Sequence, residues 1–172
     1  IISSGQMEIR KVKYTYSPSM DIQVSSNFER QIFESVKKDS NIVNSIFNEF
    51  KANQKYRFTA NVKDNFQNIY YSTSVSNKKT LETIQFFNQK YNYLADPHTA
   101  VGLSVLNELE SDIPNISLAC AHPAKFSEVI KKATGKDLVF PKELDNIFYK
   151  EEKMTILPNS FEDIKSFILK NI

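Results

Sequence analysis

The chain has 172 residues, 41% of them hydrophobic, which fits one domain or a large piece of one. Its net charge is +2 with both signs interspersed, so it lacks the basic stripe of a nucleic-acid binder, and no apolar run approaches the roughly 18 residues of a membrane span. One Cys excludes an internal disulfide and suits a reducing cytosol, and one Cys with two His argues against a zinc site. With three glycines there is no Gly-rich phosphate loop, and no signal peptide or repeat is read.

In chain order, Ile1-Ile2-Ser3-Ser4-Gly5 starts without a methionine and reads as the middle of something longer, with a helix ending at Gly5. From Glu8 to Tyr16 the residues partly alternate, with Val12, Tyr14 and Tyr16 on one face, which predicts an extended strand. Ser17-Pro18-Ser19 breaks it, because the residue before a proline is pushed out of the helical region. Ser26 and Glu29 are spaced for a capping box, and Phe28, Ile32, Phe33 and Val36 share a face of the helix that follows. That start, with Ser25, Ser26 and Asn27 around free N–H groups, reads either as plain capping or as an anion site.

Ser40 to Asn53 is predicted as an amphipathic helix with Ile42, Val43, Ile46, Phe47 and Phe50 as its stripe. Tyr56 to Val62 alternates like a strand, and Asn68 to Ser74 reads as a short one. Ser76 caps a helix running to Tyr91 with Leu81, Ile84, Phe87 and Tyr91 inward. In YLADPHTAVG, Asp96 fits an N-cap and Pro97 the first helical position, with Val101, Val105, Leu106 and Leu109 as the buried stripe. Asp96, His98 and Thr99 are then either a polar cluster at a functional junction or a well-capped helix with a solvent-facing His.

LACAHPAKF, Leu118 to Phe126, reads as a buried strand that stops at a small-residue turn and launches a helix at Pro123, ending at Gly135. In open α/β sheets ligands bind at the carboxyl ends of strands, which makes Cys120–Lys125 the first place to look for a site. The plainer reading has Cys120 packing as a small hydrophobe and His122 capping the helix. Pro141 opens a short helix, and Ser160 with Asp163 caps a last one carrying Phe161, Ile164, Phe167 and Ile168.

Taken in order, SPSMDI with SNFER, LADPHTAVG and LACAHPAKF resemble the three C-terminal signatures of threonine synthase in its bacterial and fungal form, from about Ser17 to the end. The resemblance implies an α/β chain, strands alternating with helices, and makes residues 1–172 the C-terminal portion of a fold-type-II pyridoxal-phosphate enzyme. The family turns O-phosphohomoserine and water into L-threonine and phosphate, with pyridoxal 5′-phosphate as the electron sink. Its Schiff-base lysine lies in an N-terminal Phe-Lys-Asp-type motif absent here, so the remainder of the enzyme is the implied partner and this chain alone is expected to be inactive.

Residue by residue, the resemblance implies that Cys120 and His122 face the cofactor, and that Ser26, Asn27, Arg30, Asp96, His98, Thr99 and Lys125 lie on the substrate side. No metal, nucleic-acid or membrane partner is implied, and the location is cytoplasmic. Cys120 is a departure: the family has a threonine facing the pyridine nitrogen, and a thiol is a weaker hydrogen-bonding group than a hydroxyl. A phospholyase acting on the same substrate, and a non-catalytic module that is either a decayed remnant or a half that docks on a partner, are the alternatives. If the buried faces of this piece pack on an absent part, it will expose large apolar patches.

Overall fold

Gly5 decides how the chain enters its first strand. In the computed structural model its φ is +65°, a conformation that L side chains rarely adopt, and its N–H closes a turn onto Ile1 O at 2.7 Å. A turn therefore stands where the sequence predicts a helix end. The structure describes residues 1–106, 109, 112–144 and 146–172, in two units, Ile1–Leu138 and Val139–Ile172.

In the first unit β1 (Gln6–Glu8) pairs antiparallel with β2 (Lys55–Arg57), Met7 opposite Tyr56. The strand predicted for Glu8–Tyr16 forms only at its edge. Beyond it side chains take the main-chain donors: Gln23 Oε1 accepts from Arg10 N at 2.9 Å, and the Asp21 carboxylate accepts from Thr15 N and Oγ1 at 2.7 and 2.8 Å. Such local bonds offer the backbone an alternative to a ladder.

Helix α1 (Phe28–Ser35) carries the predicted stripe, with Ile32 buried and Phe28, Phe33 and Val36 packed beside it. The capping box does not form. Asn27 already has helical dihedrals, and the first N–H groups are met by Ser25 O and Ser26 O at 3.1 and 3.3 Å instead. Helix α2 (Ser40–Asn53) is capped by Asp39, whose Oδ1 accepts from Asn41 N and Ile42 N. It buries Val43, Ile46 and Phe50 and leaves Ile42 exposed.

The alternation after Tyr56 is overruled by a longer period. Phe58, Val62 and Phe66 recur every four residues, and all three are buried once α3 (Ala60–Ile69) forms. Of the predicted Asn68–Ser74 strand, Asn68 and Ile69 end α3 and residues 70–74 belong to no helix or strand. Phe66 is completely buried, with the Phe28 and Phe58 rings 5.1 and 5.3 Å away, and closes this first core.

A second core joins α4 (Asn77–Tyr91), α5 (Pro97–Leu106) and α6 (Ser127–Thr134) around Ile84, Ala95, Ala100, Ile130 and Ala133. Three alanines among five core residues let the helix backbones approach closely. Ser76 caps α4 through its Oγ, as the sequence predicts, and Gly135 ends α6 at φ +72°. Tyr91, predicted inward, is 55% exposed, stacked with Phe86 and Phe87 at the end of α4.

The second unit holds two 3₁₀ turns, Lys142–Leu144 and Ile147–Tyr149, and α7 (Phe161–Lys170). Ser160 caps α7 by accepting from Asp163 N at 3.4 Å. No α7 residue is buried, and Phe161 is 74% exposed. No helix among the described residues is long and apolar enough to cross a membrane.

Candidate active site

The site begins with the cap of α5. Pro97 has no N–H to lose at the first position, and Asp96 Oδ1 accepts from His98 N at 2.9 Å and Thr99 N at 3.4 Å. The other oxygen, Oδ2, accepts from the Thr99 hydroxyl. Asp96 is 1% exposed, so these bonds and the helix dipole replace water around its charge. The buried face of α5 is Pro97, His98, Thr99, Ala100 and Ser104. The stripe predicted from Val101, Val105, Leu106 and Leu109 is only half-buried at its first three members, and Leu109 lies past the helix end and is exposed.

His98 is therefore no solvent-facing residue. It is 5% exposed and meets the Phe126 ring edge-on at 5.0 Å, tying α5 to the 3₁₀ turn Pro123–Phe126. A second tie is polar: Cys120 N donates to Thr99 Oγ1 at 3.1 Å. A third comes from a residue that the sequence did not single out. Ser17 is buried, and its hydroxyl donates to Pro97 O at 3.1 Å.

The segment leading to Cys120 differs from its expectation. It is extended, but Leu118–Ala121 is neither a ladder strand nor buried: Ile116 is 82% and Leu118 77% exposed, and Cys120 is exposed as well. Among the described residues nothing pairs with its backbone as a neighbouring strand would. Ser117 turns inward, its hydroxyl buried without a hydrogen-bond partner among the described residues. A Cβ on Gly102 would stand 2.6 Å from that oxygen. A glycine inside a helical pattern is the signal that could have marked this close approach.

At the turn, His122 accepts Ala124 N–H on Nδ1 at 3.1 Å and so caps the 3₁₀ helix. That bond puts the proton of a neutral imidazole on Nε2, free to donate outward. The Cys120 thiol donates to Leu118 O at 3.4 Å, and Lys125 is exposed. The structure thus brings Asp96, His98, Thr99 and Cys120 together, with His122 and Lys125 on the adjoining turn.

Ser26, Asn27 and Arg30 lie elsewhere, exposed at the start of α1 on the first core. Ser26 and Arg30 line an open cleft with Glu29 and Glu34, the latter paired with Lys38 at 3.6 Å. Among the described residues no hydrogen bond, ion pair or ring contact joins these three to the α5 group. No cluster of three or more His, Cys, Asp or Glu side chains there could hold a metal.

Residues 99–168 match the family model described as the C-terminal part of threonine synthase. A threonine synthase of Pseudomonas aeruginosa is 36% identical over 88% of this chain and 33% of its own length. That of Saccharomyces cerevisiae is 34% identical over 86% of this chain and 34% of its length. The crystal structure of a PLP-bound threonine synthase from Brucella melitensis superposes with a TM-score of 0.83 at 33% identity, covering 97% of this chain and 36% of that one. The chain thus spans about a third of the length of the relatives it matches. The fold of mixed helix and strand, the ordered motifs and these likenesses agree: the chain belongs to the threonine synthase family and corresponds to the C-terminal portion of its members.

Proposed function

We propose that this chain is the C-terminal part of a pyridoxal-phosphate-dependent threonine synthase of the cytoplasm. With the remainder of the enzyme it would convert O-phosphohomoserine and water to L-threonine and phosphate. The observation that carries this reading is the junction of α5 with the Cys120–Lys125 turn. There two of the family-like motifs meet through Thr99 and Cys120 and through His98 and Phe126.

The donors present suit one edge of the cofactor. An exposed thiol at a turn can donate to an unprotonated pyridine nitrogen by swinging away from Leu118 O, and His122 Nε2 offers a second outward donor. They do not suit the cofactor's phosphate. Gly5 makes a turn, Gly102 a close packing and Gly135 a helix end, so no glycine remains for a phosphate cradle. The cradle and the lysine belong, in this reading, to the remainder of the enzyme. When bound, pyridoxal phosphate supplies an electron sink for the carbanions of the reaction.

Around it, Cys120 and His122 would orient the ring. Exposed Lys125, Ser26, Asn27 and Arg30 would serve the substrate side, Arg30 suiting phosphate or carboxylate by its two-pronged geometry. Asp96, His98 and Thr99 are buried in this chain, which supports for them a role in holding the Cys120 turn in place on the substrate side.

The test is phosphate release from O-phosphohomoserine with pyridoxal phosphate added, with this chain alone and with the protein extended upstream of Ile1, identifying the organic product. No activity alone and threonine from the extended protein would support the reading. A keto acid would make the extended protein a phospholyase. No phosphate from either would favour a non-catalytic module, a reading to which the cysteine at position 120 lends some support.

A further inference from the structure

We propose that Asp96 and Thr99 act as a clamp that fixes the main chain at Cys120, and so are positioning residues for its thiol. This rests on the reading of Cys120 as a cofactor contact. The Thr99 hydroxyl stands between two partners. A carboxylate can only accept, so the hydroxyl proton must go to Asp96, and the lone pairs are left for Cys120 N–H at 3.1 Å. Both residues are at most 2% exposed, so water cannot stand in for either.

The clamp matters because little else holds this stretch. Among the described residues, the main chain of 115–119 makes one hydrogen bond, Leu118 O accepting from the Cys120 thiol. The Cys120 N–H to Thr99 bond is its polar tie to α5. The contact of Ser117 with Gly102, one turn further along the helix, is steric and carries no hydrogen bond. Asp96 performs two tasks with one side chain: Oδ1 caps the helix while Oδ2 sets the polarity of the Thr99 hydroxyl. An amide cannot do both. If Asn kept the cap with its oxygen, its NH₂ would face Thr99, and the hydroxyl proton would have no acceptor.

The experiment uses the protein extended upstream of Ile1, with Thr99→Val, Thr99→Ala and Thr99→Ser. Three quantities are read: amide hydrogen exchange of the peptide containing Cys120, with and without cofactor; the Kd for pyridoxal phosphate; and KM for O-phosphohomoserine. Thr99→Val keeps the shape and loses the acceptor. It should speed exchange at Cys120 and weaken cofactor binding by about tenfold each, the scale of one lost hydrogen bond, with KM little changed. Thr99→Ser should restore both. Unchanged exchange at Cys120 in Thr99→Val overturns the clamp whatever the cofactor does. Faster exchange with unchanged Kd upholds the clamp and overturns the assignment of Cys120 to the cofactor. If Thr99→Val fails to fold, Thr99→Ala, which also removes the acceptor, decides by the same exchange measurement, unchanged exchange again overturning the clamp.

Discussion

Cys120 and Thr99 stand 21 positions apart in sequence and 3.1 Å apart in space, amide to hydroxyl, and the bond joins the two motifs that distinguish this chain. Asp96, His98 and Thr99 are buried on one side of it, while Cys120 is exposed on the other. A rigid helix start presenting a turn to a ligand is how a site gains precision, since groups held by packed elements need not be ordered on binding.

Asp96→Ala tests the rigid half. It removes the cap of α5 and leaves the Thr99 hydroxyl without its acceptor in a buried place. The expected loss is about 2 kcal/mol, above the ~1 kcal/mol of an ordinary cap because a buried partner is orphaned as well. Urea denaturation reads it. Asp96→Ser, which can still cap, should cost less, and equal losses would mean that the cap contributes nothing.

Cys120→Thr tests the open half. In the extended enzyme the threonine that the family motif carries should preserve or raise activity, since a hydroxyl is the better hydrogen-bonding group. A fall in kcat beyond tenfold, ~1.4 kcal/mol in the barrier, would argue against a place beside the pyridine nitrogen.

The sequence announces what local chemistry controls and little of what depends on absent neighbours. Asp96-Pro97, Ser76 and Ser160 each cap the helix whose start they predict, because capping needs only a side chain and the next few N–H groups, whereas the box predicted at Ser26 does not form. Strands are another matter. A strand is defined by its partner, and Leu118–Ala121, predicted as a buried strand, is extended yet finds no partner among the described residues. The Tyr56–Val62 alternation holds only at its start, where Tyr56 and Arg57 lie in β2: two periods coexist there, and from Ala60 the helical one wins, with Val62 and Phe66 buried. In the site, the motif residues were visible by type. The contacts of Ser17, Ser117 and Phe126 were not, because a serine hydroxyl or a ring edge acquires its role only from what the fold brings against it.

Phe66→Ala should cost about 4 kcal/mol, the range for truncating a fully buried aromatic. Its ring contacts both Phe28 and Phe58, so the first core loses the piece that links α1 to the segment after β2. Thermal or urea unfolding measures it. Phe66→Leu, which retains most of the volume, should lose less than half as much, and similar losses would point to strain rather than a cavity.

Glu8 gives the pH dependence a sign. A hydrogen bond from Arg10, with Nε and Nη2 both 3.0 Å from Glu8 Oε2, holds its carboxyl below the ordinary value. A depressed carboxylate contributes stability that is present above its unfolded pKa and is lost as pH falls through the folded one. The pair is exposed, so the contribution is small and fades with salt. An NMR titration should find the Glu8 pKa rising when Arg10 is changed to Ala, and rising also in wild type at 1 M salt. A value indifferent to both would remove Arg10 as the cause.

The apolar side chains left in water are the last thing to test. In the first unit Ile116 and Leu118 are exposed, and in the second Met154, Ile156, Phe161 and Leu169 are each at least two-thirds exposed. Isolated exposed apolar residues are ordinary, but several within one short unit whose terminal helix buries nothing demand a cover. The two thirds of the relatives' length not spanned here supply a natural one. A dye that fluoresces on apolar surface should therefore bind strongly to this chain alone and several-fold less, per mole, to the protein extended upstream. Ile156→Ser with Leu169→Ser should lower the dye signal of the chain alone, yet destabilise the extended protein, because the same residues would be buried there. Equal dye binding by both proteins, or a serine pair harmless in the extended one, would mean that these faces stay in water and that the remainder of the enzyme packs elsewhere.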